Sequence, residues 1–218
     1  MSFIYNVDGD IKELNLKASN GDSFFRKQIV LNNSYLKGNR NELDICRLIQ
    51  STASSQLLRI YQVENIGFFK NIYRTILRLN NHDDRSCSFV DEEILDTEYS
   101  YDDFLEKGGV SDLRKNLDEF HRLGIIYIDF KRDNVGFSKK DNCFKFFDFD
   151  FSALISPEDP TKFINPPNTG YNLRDALRKS KNITFSNFIE LDNYLFEKFL
   201  KDMNLDEENL SSNSHSNE

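Results

Sequence analysis

Residues 124–150 read GIIYIDFKRDNVGFSKKDNCFKFFDFD, and this stretch decides the fold. A short run of β-branched and aromatic residues at 125–128 predicts a strand that ends at Asp129. A polar loop with Lys131 and Asn134 follows, and apolar stretches on either side of a polar turn at 138–142 predict a hairpin. The second strand of that hairpin ends at Asp148. Two acidic clusters are therefore expected where strands end.

The segment before this stretch is predicted to be a helix. Leu113, Leu117 and Phe120 recur at helical spacing and place one apolar face toward a core. Gly124 is expected to end the helix in the left-handed conformation. Helix, glycine, strand, loop and hairpin follow in order, and this order distinguishes the stretch from an ordinary polar surface loop.

The polar residues of the loop follow the pattern D-x-K-x-x-N, and D-F-D begins downstream at Asp148. This order resembles the catalytic loop and the D-F-G segment of the protein kinase superfamily, and the chain is similar to the compact kinases of bacterial effectors or viruses. The resemblance implies that Asp129 orients the substrate hydroxyl and that Lys131 neutralises charge on the γ-phosphate. Asn134 and Asp148 would hold magnesium, so the implied cofactors are ATP and Mg²⁺.

Three positions depart from the family pattern. Tyr127 stands in place of the usual histidine, and Ile128 in place of the arginine that would receive a phosphate on the activation segment. Asp150 replaces the glycine of D-F-G and is expected to add a carboxylate to the metal site. Asp150 also resembles the small-molecule phosphotransferases of the aminoglycoside and choline kinase type, whereas Lys131 favours a protein substrate.

The N-terminal part is predicted to hold three antiparallel strands followed by a helix. The strands are expected at 2–7, 11–18 and 23–31, with turn signals between them. Asn39 or Asn41 can cap the helix, which is expected to run to about Ser51. Later strands are predicted at 57–63, 72–79 and 88–94.

Lys27 falls on the third predicted strand and Glu42 on the helix. This resembles the kinase ion pair in which the lysine holds the α- and β-phosphates, with Lys17 and Lys37 as competitors for that role. The turn after the first strand contains Asp8-Gly9-Asp10 and not a glycine-rich phosphate loop. A catalytically inactive kinase fold that binds a partner therefore stays open as an alternative.

We expect an α+β chain with a two-lobed, protein-kinase-like fold. Residues 1–95 would form a small antiparallel-sheet N-lobe, 96–203 a truncated, mainly helical C-lobe, and 204–218 a disordered tail. Residues 90–96 would connect the lobes, with the acidic run 91–93 exposed to solvent. Prolines make 151–168 extended, and 185–203 is predicted to be a helix. Its Asp192 is either an anchor for the catalytic loop or, as we favour from sequence, a solvated side chain.

Composition limits the partners of the chain. A net charge of -8 argues against nucleic acid, and no apolar run is long enough for a membrane span. Three cysteines without metal spacing indicate a reducing, cytoplasmic compartment, or a host cytosol if the chain is an effector or viral protein. The three histidines are isolated and are interpreted as surface or structural residues. The expected partners are a protein substrate bearing a serine or threonine hydroxyl and an activating protein.

Overall fold

The computed structural model describes residues 3–7, 10–14, 22–30, 38–66, 87–167 and 185–214. The N-terminal part is built on a five-stranded sheet with the strand order β2-β1-β3-β5-β4. Its strands are β1 (Phe3–Val7), β2 (Asp10–Leu14), β3 (Phe24–Val30), β4 (Ile60–Ile66) and β5 (Cys87–Glu93). The chain is thus of the α+β class, as predicted.

Helix α1 (Gly38–Gln50) packs on this sheet through one apolar face. Ile45, Cys46 and Ile49 are almost fully buried in the core, at the i, i+1 and i+4 spacing of one helical face. Val90 of β5 lies in the same core cluster. Burial of this face fixes which side of α1 is turned toward the sheet.

Among its described residues, the C-terminal part combines three α-helices with five short strands. The helices are α2 (Tyr101–Glu106), α3 (Gly109–Arg122) and α4 (Phe188–Ser214). The strands are β6 (Ile125–Ile126), β7 (Val135–Ser138), β8 (Cys143–Phe146), β9 (Ala153–Ile155) and β10 (Phe163–Asn165). β7 and β8 form the predicted antiparallel hairpin, and β10, β9 and β6 form a three-stranded antiparallel sheet.

Aromatic side chains of residues 124–150 pack with Phe120 of α3 in a buried core. The Tyr127 ring stacks on Phe120 at 5.7 Å between centroids and contacts Phe146 at 4.7 Å. Phe149 meets both Phe120 and Tyr127 edge to face, and all four side chains are at most 1% exposed. Rings packed in this way stabilise beyond their buried area. The loops around Asp129 and Asp148 therefore rest on a rigid base.

Gly124 ends α3 in the left-handed conformation, as predicted, with φ of 73°. A Cβ atom there would lie 2.8 Å from the carbonyl oxygen of Ile155. Both the dihedral angle and the close approach therefore require glycine. This tight turn sends the chain directly from α3 into β6.

The sheet differs from the predicted order in one respect. β1 pairs with β2 antiparallel but with β3 parallel, so the three N-terminal strands are not a simple antiparallel meander. A parallel pair needs a long connection, and here the second strand and the residues after it supply that connection. A hairpin signal predicts that two consecutive strands pair with each other. It does not specify whether β1 or β2 also pairs with β3.

Several element boundaries also differ from prediction. β4 begins at Ile60 and not at Leu57, because Leu57 and Leu58 are buried in the turn before it. Helix α4 continues through Ser214, into the segment predicted to be a disordered tail; its leucine and glutamate residues are good helix formers. The strand predicted at 72–79, and the competitors Lys17 and Lys37, lie outside the described residues.

Among the described residues, no helix combines the length and the apolar character needed to cross a lipid bilayer.

Candidate active site

The loop after β6 brings Asp129, Lys131 and Asn134 together. The Asn134 side-chain amide donates to a carboxylate oxygen of Asp129 at 3.0 Å and to the Asp129 carbonyl at 3.1 Å. The Lys131 ammonium lies 2.8 Å from the same carboxylate. A 3₁₀ turn at Arg132–Asn134 creates this arrangement by folding Asn134 back toward Asp129. Asp129 is only 8% exposed, so its carboxylate is held in one place while Lys131 reaches solvent.

Asp192 of α4 anchors this loop from below. Its carboxylate accepts hydrogen bonds from the backbone N–H groups of Tyr127 at 3.0 Å and Ile128 at 2.9 Å. His121 of α3 lies 3.0 Å from the same carboxylate through Nε2. Asp192 is fully buried, so the solvated role that we favour from sequence is wrong. Two of its partners are backbone N–H groups, which no sequence pattern displays.

The backbone at Ile128 is strained. Its φ is 69°, in the left-handed region that β-branched residues rarely adopt. The bond from its N–H to Asp192 helps to hold this conformation, one residue before Asp129. The anchor and the strain together fix the direction in which Asp129 leaves the strand.

Asp192→Asn should lower the free energy of unfolding by about 2–3 kcal/mol, because its NH₂ group would face a buried backbone N–H that has lost its acceptor. Urea denaturation measures the loss. Asp202→Asn is the matched control, since Asp202 lies on the same helix, is mostly exposed and pairs with Lys198 at 3.7 Å. An equal, small effect of both substitutions would contradict the anchoring role.

Lys27 of β3 is the centre of a second cluster. Its ammonium lies 2.6 Å from Glu42 of α1 and 2.5 Å from Asp148. Burial alone would lower the pKa of Lys27, but the carboxylates of Glu42, Asp148 and Glu92 outweigh it and raise that pKa well above its ordinary value. Lys27 therefore stays charged. The ion pair that the kinase resemblance implies between Lys27 and Glu42 is present.

Asp148 follows the hairpin in a fixed backbone conformation. Its φ is 62°, and the carbonyl of Phe147 just before it accepts a 2.5 Å hydrogen bond from the Tyr127 hydroxyl. The side chain of Asn116, fully buried on α3, holds β8 through two hydrogen bonds. Its NH₂ group donates to the Phe144 carbonyl, and its oxygen accepts from the Phe146 N–H. The site thus depends on Tyr127, at the position of the usual histidine, and on Asn116, which the sequence pattern does not single out.

Asp150 has an unusual environment. Its Oδ1 atom is buried and has no hydrogen-bond partner among the described residues. Burial raises the pKa of Asp150 to about 7, and the charge of Asp148 adds to the effect. Within the described ranges, no three His, Cys, Asp or Glu side chains form a ready-made metal site. A cation near Asp150 would use two carboxylates, from Asp148 and Asp150, and an amide oxygen, from Asn134.

A cavity of about 600 Å³ opens beside these clusters. Part of its wall is apolar, formed by Phe25, Ile94, Leu95 and Phe147. The remainder is polar and is formed by Lys27, Glu92, Glu93, Thr97 and Asp148. The cavity can therefore accept an apolar group against one part of its wall, with the Lys27 ammonium available to an anionic group.

The acidic run 91–93 is buried, which corrects the prediction of a solvated segment. Asp91 pairs with Arg26 at 2.5 Å, and Glu93 accepts a 2.6 Å bond from the fully buried Lys145 of β8. These cations are distant in the chain, so the run looks like a surface segment in sequence. Glu92 lines the cavity, and burial raises its pKa to about 8, although the charge of Lys27 opposes the shift.

The pKa of Glu92 predicts a pH dependence of stability. The folded chain keeps the Glu92 proton that the unfolded chain releases above an ordinary pKa of 4.5. The free energy of unfolding should therefore fall by a few kcal/mol between about pH 5 and pH 8. Urea denaturation across this range should show a smaller fall in Glu92→Gln and an unchanged one in Glu106→Gln, an exposed control. A parallel pH profile for Glu92→Gln and the natural chain would refute the assignment.

Comparison of the chain with models of known protein families and with curated protein sequences finds no match.

Proposed function

We propose that this chain is an ATP-dependent phosphotransferase of the two-lobed protein-kinase-like type, acting on a serine or threonine hydroxyl of a protein. The observation that carries the proposal is the Lys27 ammonium, bonded at once to Glu42 and Asp148. The three residues come from a strand, a helix and a distant loop. A lysine held in this way presents a fixed positive charge to phosphate oxygens.

In this proposal the nucleotide occupies the cavity beside Lys27. The five-stranded sheet and α1 are the N-lobe, and the chain from Asp96 onward is the reduced C-lobe. The purine would lie against Phe25, Ile94 and Leu95, and the phosphates would point toward Lys27 and Asp148. Backbone groups at 92–95 would meet the purine edge, because the end of β5 and the two residues after it line the cavity.

Asp129 has the chemistry of the group that receives the substrate proton. In the proposed step the substrate hydroxyl oxygen forms a bond to the γ-phosphorus while its proton passes to the Asp129 carboxylate. The bond from the γ-phosphorus to the β,γ-bridging oxygen breaks, and ADP leaves with that oxygen. Lys131, 2.8 Å from Asp129, would offset charge on the transferred group.

The residues near Asp148 fit a magnesium ion. Hard oxygen donors suit Mg²⁺. The buried Asp150 oxygen, which has no hydrogen-bond partner among the described residues, is the kind of group that a cation would satisfy. Asp148, Asp150 and the amide oxygen of Asn134 would hold it. The ion would supply positive charge to the nucleotide phosphates.

A small-molecule phosphotransferase is the second candidate. Asp150, in place of the family glycine, is the feature that favours it, while the exposed Lys131 next to Asp129 favours a protein substrate. A chain that binds its partner without catalysis is the remaining alternative, since residues 8–10, predicted from sequence to form a turn, carry two aspartates. The first two transfer the same phosphoryl group to different acceptors, and the third transfers none.

Nucleotide binding and transfer test the proposal. Thermal denaturation of the full chain with ATP, with and without magnesium, should show stabilisation that needs both. Radiolabelled ATP should then label generic protein substrates such as casein. Lys27→Met should lose the labelling, and Lys139→Met, at a 78% exposed lysine of the β7–β8 turn, should keep it.

Three results would change the conclusion. Label on an aminoglycoside or choline, with none on protein, would favour the small-molecule enzyme. Magnesium-dependent stabilisation without transfer would favour the inactive alternative. Absence of any nucleotide effect on thermal denaturation would overturn the proposal.

Residues 151–168 would be the activation segment of the proposed kinase, and we expect activity not to depend on their phosphorylation. Ser152 is fully buried, and its hydroxyl donates to the Tyr127 carbonyl at 3.1 Å, so Ser156 and Thr161 are the hydroxyls of 151–167 that a kinase can reach. Position 128 offers no cation to a phosphate. Ser156→Ala combined with Thr161→Ala should keep transfer within about twofold in a steady-state assay. A tenfold loss, about 1.4 kcal/mol in barrier, would show that a phosphate matters.

A further inference from the structure

Asn41 of α1 lies directly before Glu42 and is only 4% exposed. Its side-chain NH₂ donates to the carbonyl of Pro166 at 2.6 Å. Two longer contacts run from the same nitrogen to the carbonyls of Asn165, at 3.4 Å, and Ser152, at 3.5 Å. A buried amide nitrogen thus faces three carbonyl oxygens of one segment, and none of them belongs to α1.

These carbonyls lie at the end of β10 or directly beside β9 and β10, two strands of the sheet that carries the Asp129 loop. Asn165 ends β10, and Ser152 directly precedes β9. β9 pairs with β6, the strand that leads into Asp129. Asn41 therefore joins the helix that holds Glu42 to the sheet that holds the Asp129 loop.

Glu42 needs such support. It is 3% exposed, and burial raises its pKa while Lys27 lowers it, so burial opposes the charge that the ion pair requires. Lys27 also has Asp148 at 2.5 Å, which would keep the lysine paired if α1 moved away. The attraction of Lys27 is therefore shared. Besides Lys27, the Glu42 carboxylate accepts a backbone hydrogen bond from Phe149, and a contact from Asn41 adds a further tie between α1 and the C-terminal part.

We propose that Asn41 is a positioning residue that holds α1, and with it the Lys27–Glu42 pair, against the segment 152–166 without any phosphate. A neutral amide makes the tie, so the site is assembled in the unmodified chain. This inference rests on the proposed function, because it concerns how the proposed nucleotide site is kept in its working arrangement. In this proposal the contact between residues 152–166 and α1 controls whether the Lys27–Glu42 pair is in place.

Asn41→Asp is the sharpest test, since it keeps the shape and replaces the donor by a carboxylate that repels the three carbonyls. We expect kcat to fall at least tenfold with a smaller change in the KM for ATP. Amide hydrogen exchange should accelerate in 38–50 and 152–166 but not in α3. Asn41→Gln keeps the NH₂ group and should retain more of the rate than Asn41→Asp.

Asp44→Asn is the matched control, because Asp44 lies on the same helix and pairs with Arg47 at 3.0 Å within it. It should leave both kcat and hydrogen exchange unchanged. Wild-type kcat and exchange in Asn41→Asp would overturn the inference. So would a uniform acceleration of exchange across the whole chain, equal in Asn41→Asp and Asn41→Gln, because that would indicate a general structural role.

The activity of the natural chain, taken together with hydrogen exchange in Asn41→Asp, separates this inference from the proposed function. If the natural chain neither binds ATP nor transfers phosphate, the proposed function fails, and so does the role of Asn41 in assembling the nucleotide site. If the natural chain transfers phosphate and Asn41→Asp does so equally well with unchanged exchange, the inference alone fails.

Discussion

Replacing Asp129 with asparagine should lower the rate of phosphoryl transfer by about a hundred- to ten-thousand-fold, the range that loss of a general base produces. Nucleotide affinity should stay nearly unchanged. Asp129 is held by Asn134 and Lys131 and does not line the cavity where the purine is proposed to bind. An asparagine fits the same space but is too weak a base to take the proton of a hydroxyl.

Single-turnover transfer and equilibrium nucleotide binding, measured on the same preparation, test this result. Asp133→Asn is the matched control, since Asp133 lies on the same 3₁₀ turn with its side chain exposed. It should transfer phosphate at the natural rate. Wild-type turnover in Asp129→Asn would show that the loop after β6 is not catalytic.

Asp148→Ala should reduce magnesium-dependent nucleotide affinity by at least a hundredfold, about 2.7 kcal/mol. The substitution removes one of the two carboxylates that would hold the ion. It leaves Lys27 paired with Glu42 at 2.6 Å, so the lysine itself keeps a partner. The loss should therefore appear in the dependence of affinity on magnesium and not as a general unfolding of the site.

Titration of ATP at several magnesium concentrations measures the effect, and urea denaturation shows whether the fold survives. Asp118→Ala, at an exposed aspartate of α3, serves as the control. If Asp148→Ala binds nucleotide with an unchanged response to magnesium, Asp148 is not a metal ligand, and the inactive alternative gains support.

Local signals in the sequence were enough to predict the elements around the candidate site. The glycine after α3, the strand before Asp129 and the hairpin before Asp148 all have short-range signatures, and the structure contains them. The pairing of Lys27 with Glu42 was expected from the kinase resemblance, and the two side chains are in contact. Their role toward a nucleotide stays a prediction.

Contacts between distant segments could not be predicted in the same way. Asp192 bonds backbone groups of the loop, and backbone groups look identical at every position of a sequence. The acidic run 91–93 is buried because Arg26 and Lys145 come from other strands to pair with it. A charged residue is usually exposed, so a sequence argument assigns such residues to the surface unless their partners are known.

The buried Lys145 ties the two parts of the chain together. It lies between Glu93, at the end of the five-stranded sheet, and Asp141 of the β7–β8 turn, at 2.6 Å and 2.5 Å. Arg59, just before β4, binds the same Asp141 at 2.8 Å. Pulling the sheet away from the hairpin would break both the Lys145–Glu93 pair and the Arg59–Asp141 pair and leave these charges incompletely compensated. The N-terminal and C-terminal parts should consequently lose their structure in one cooperative transition and not as two independent units.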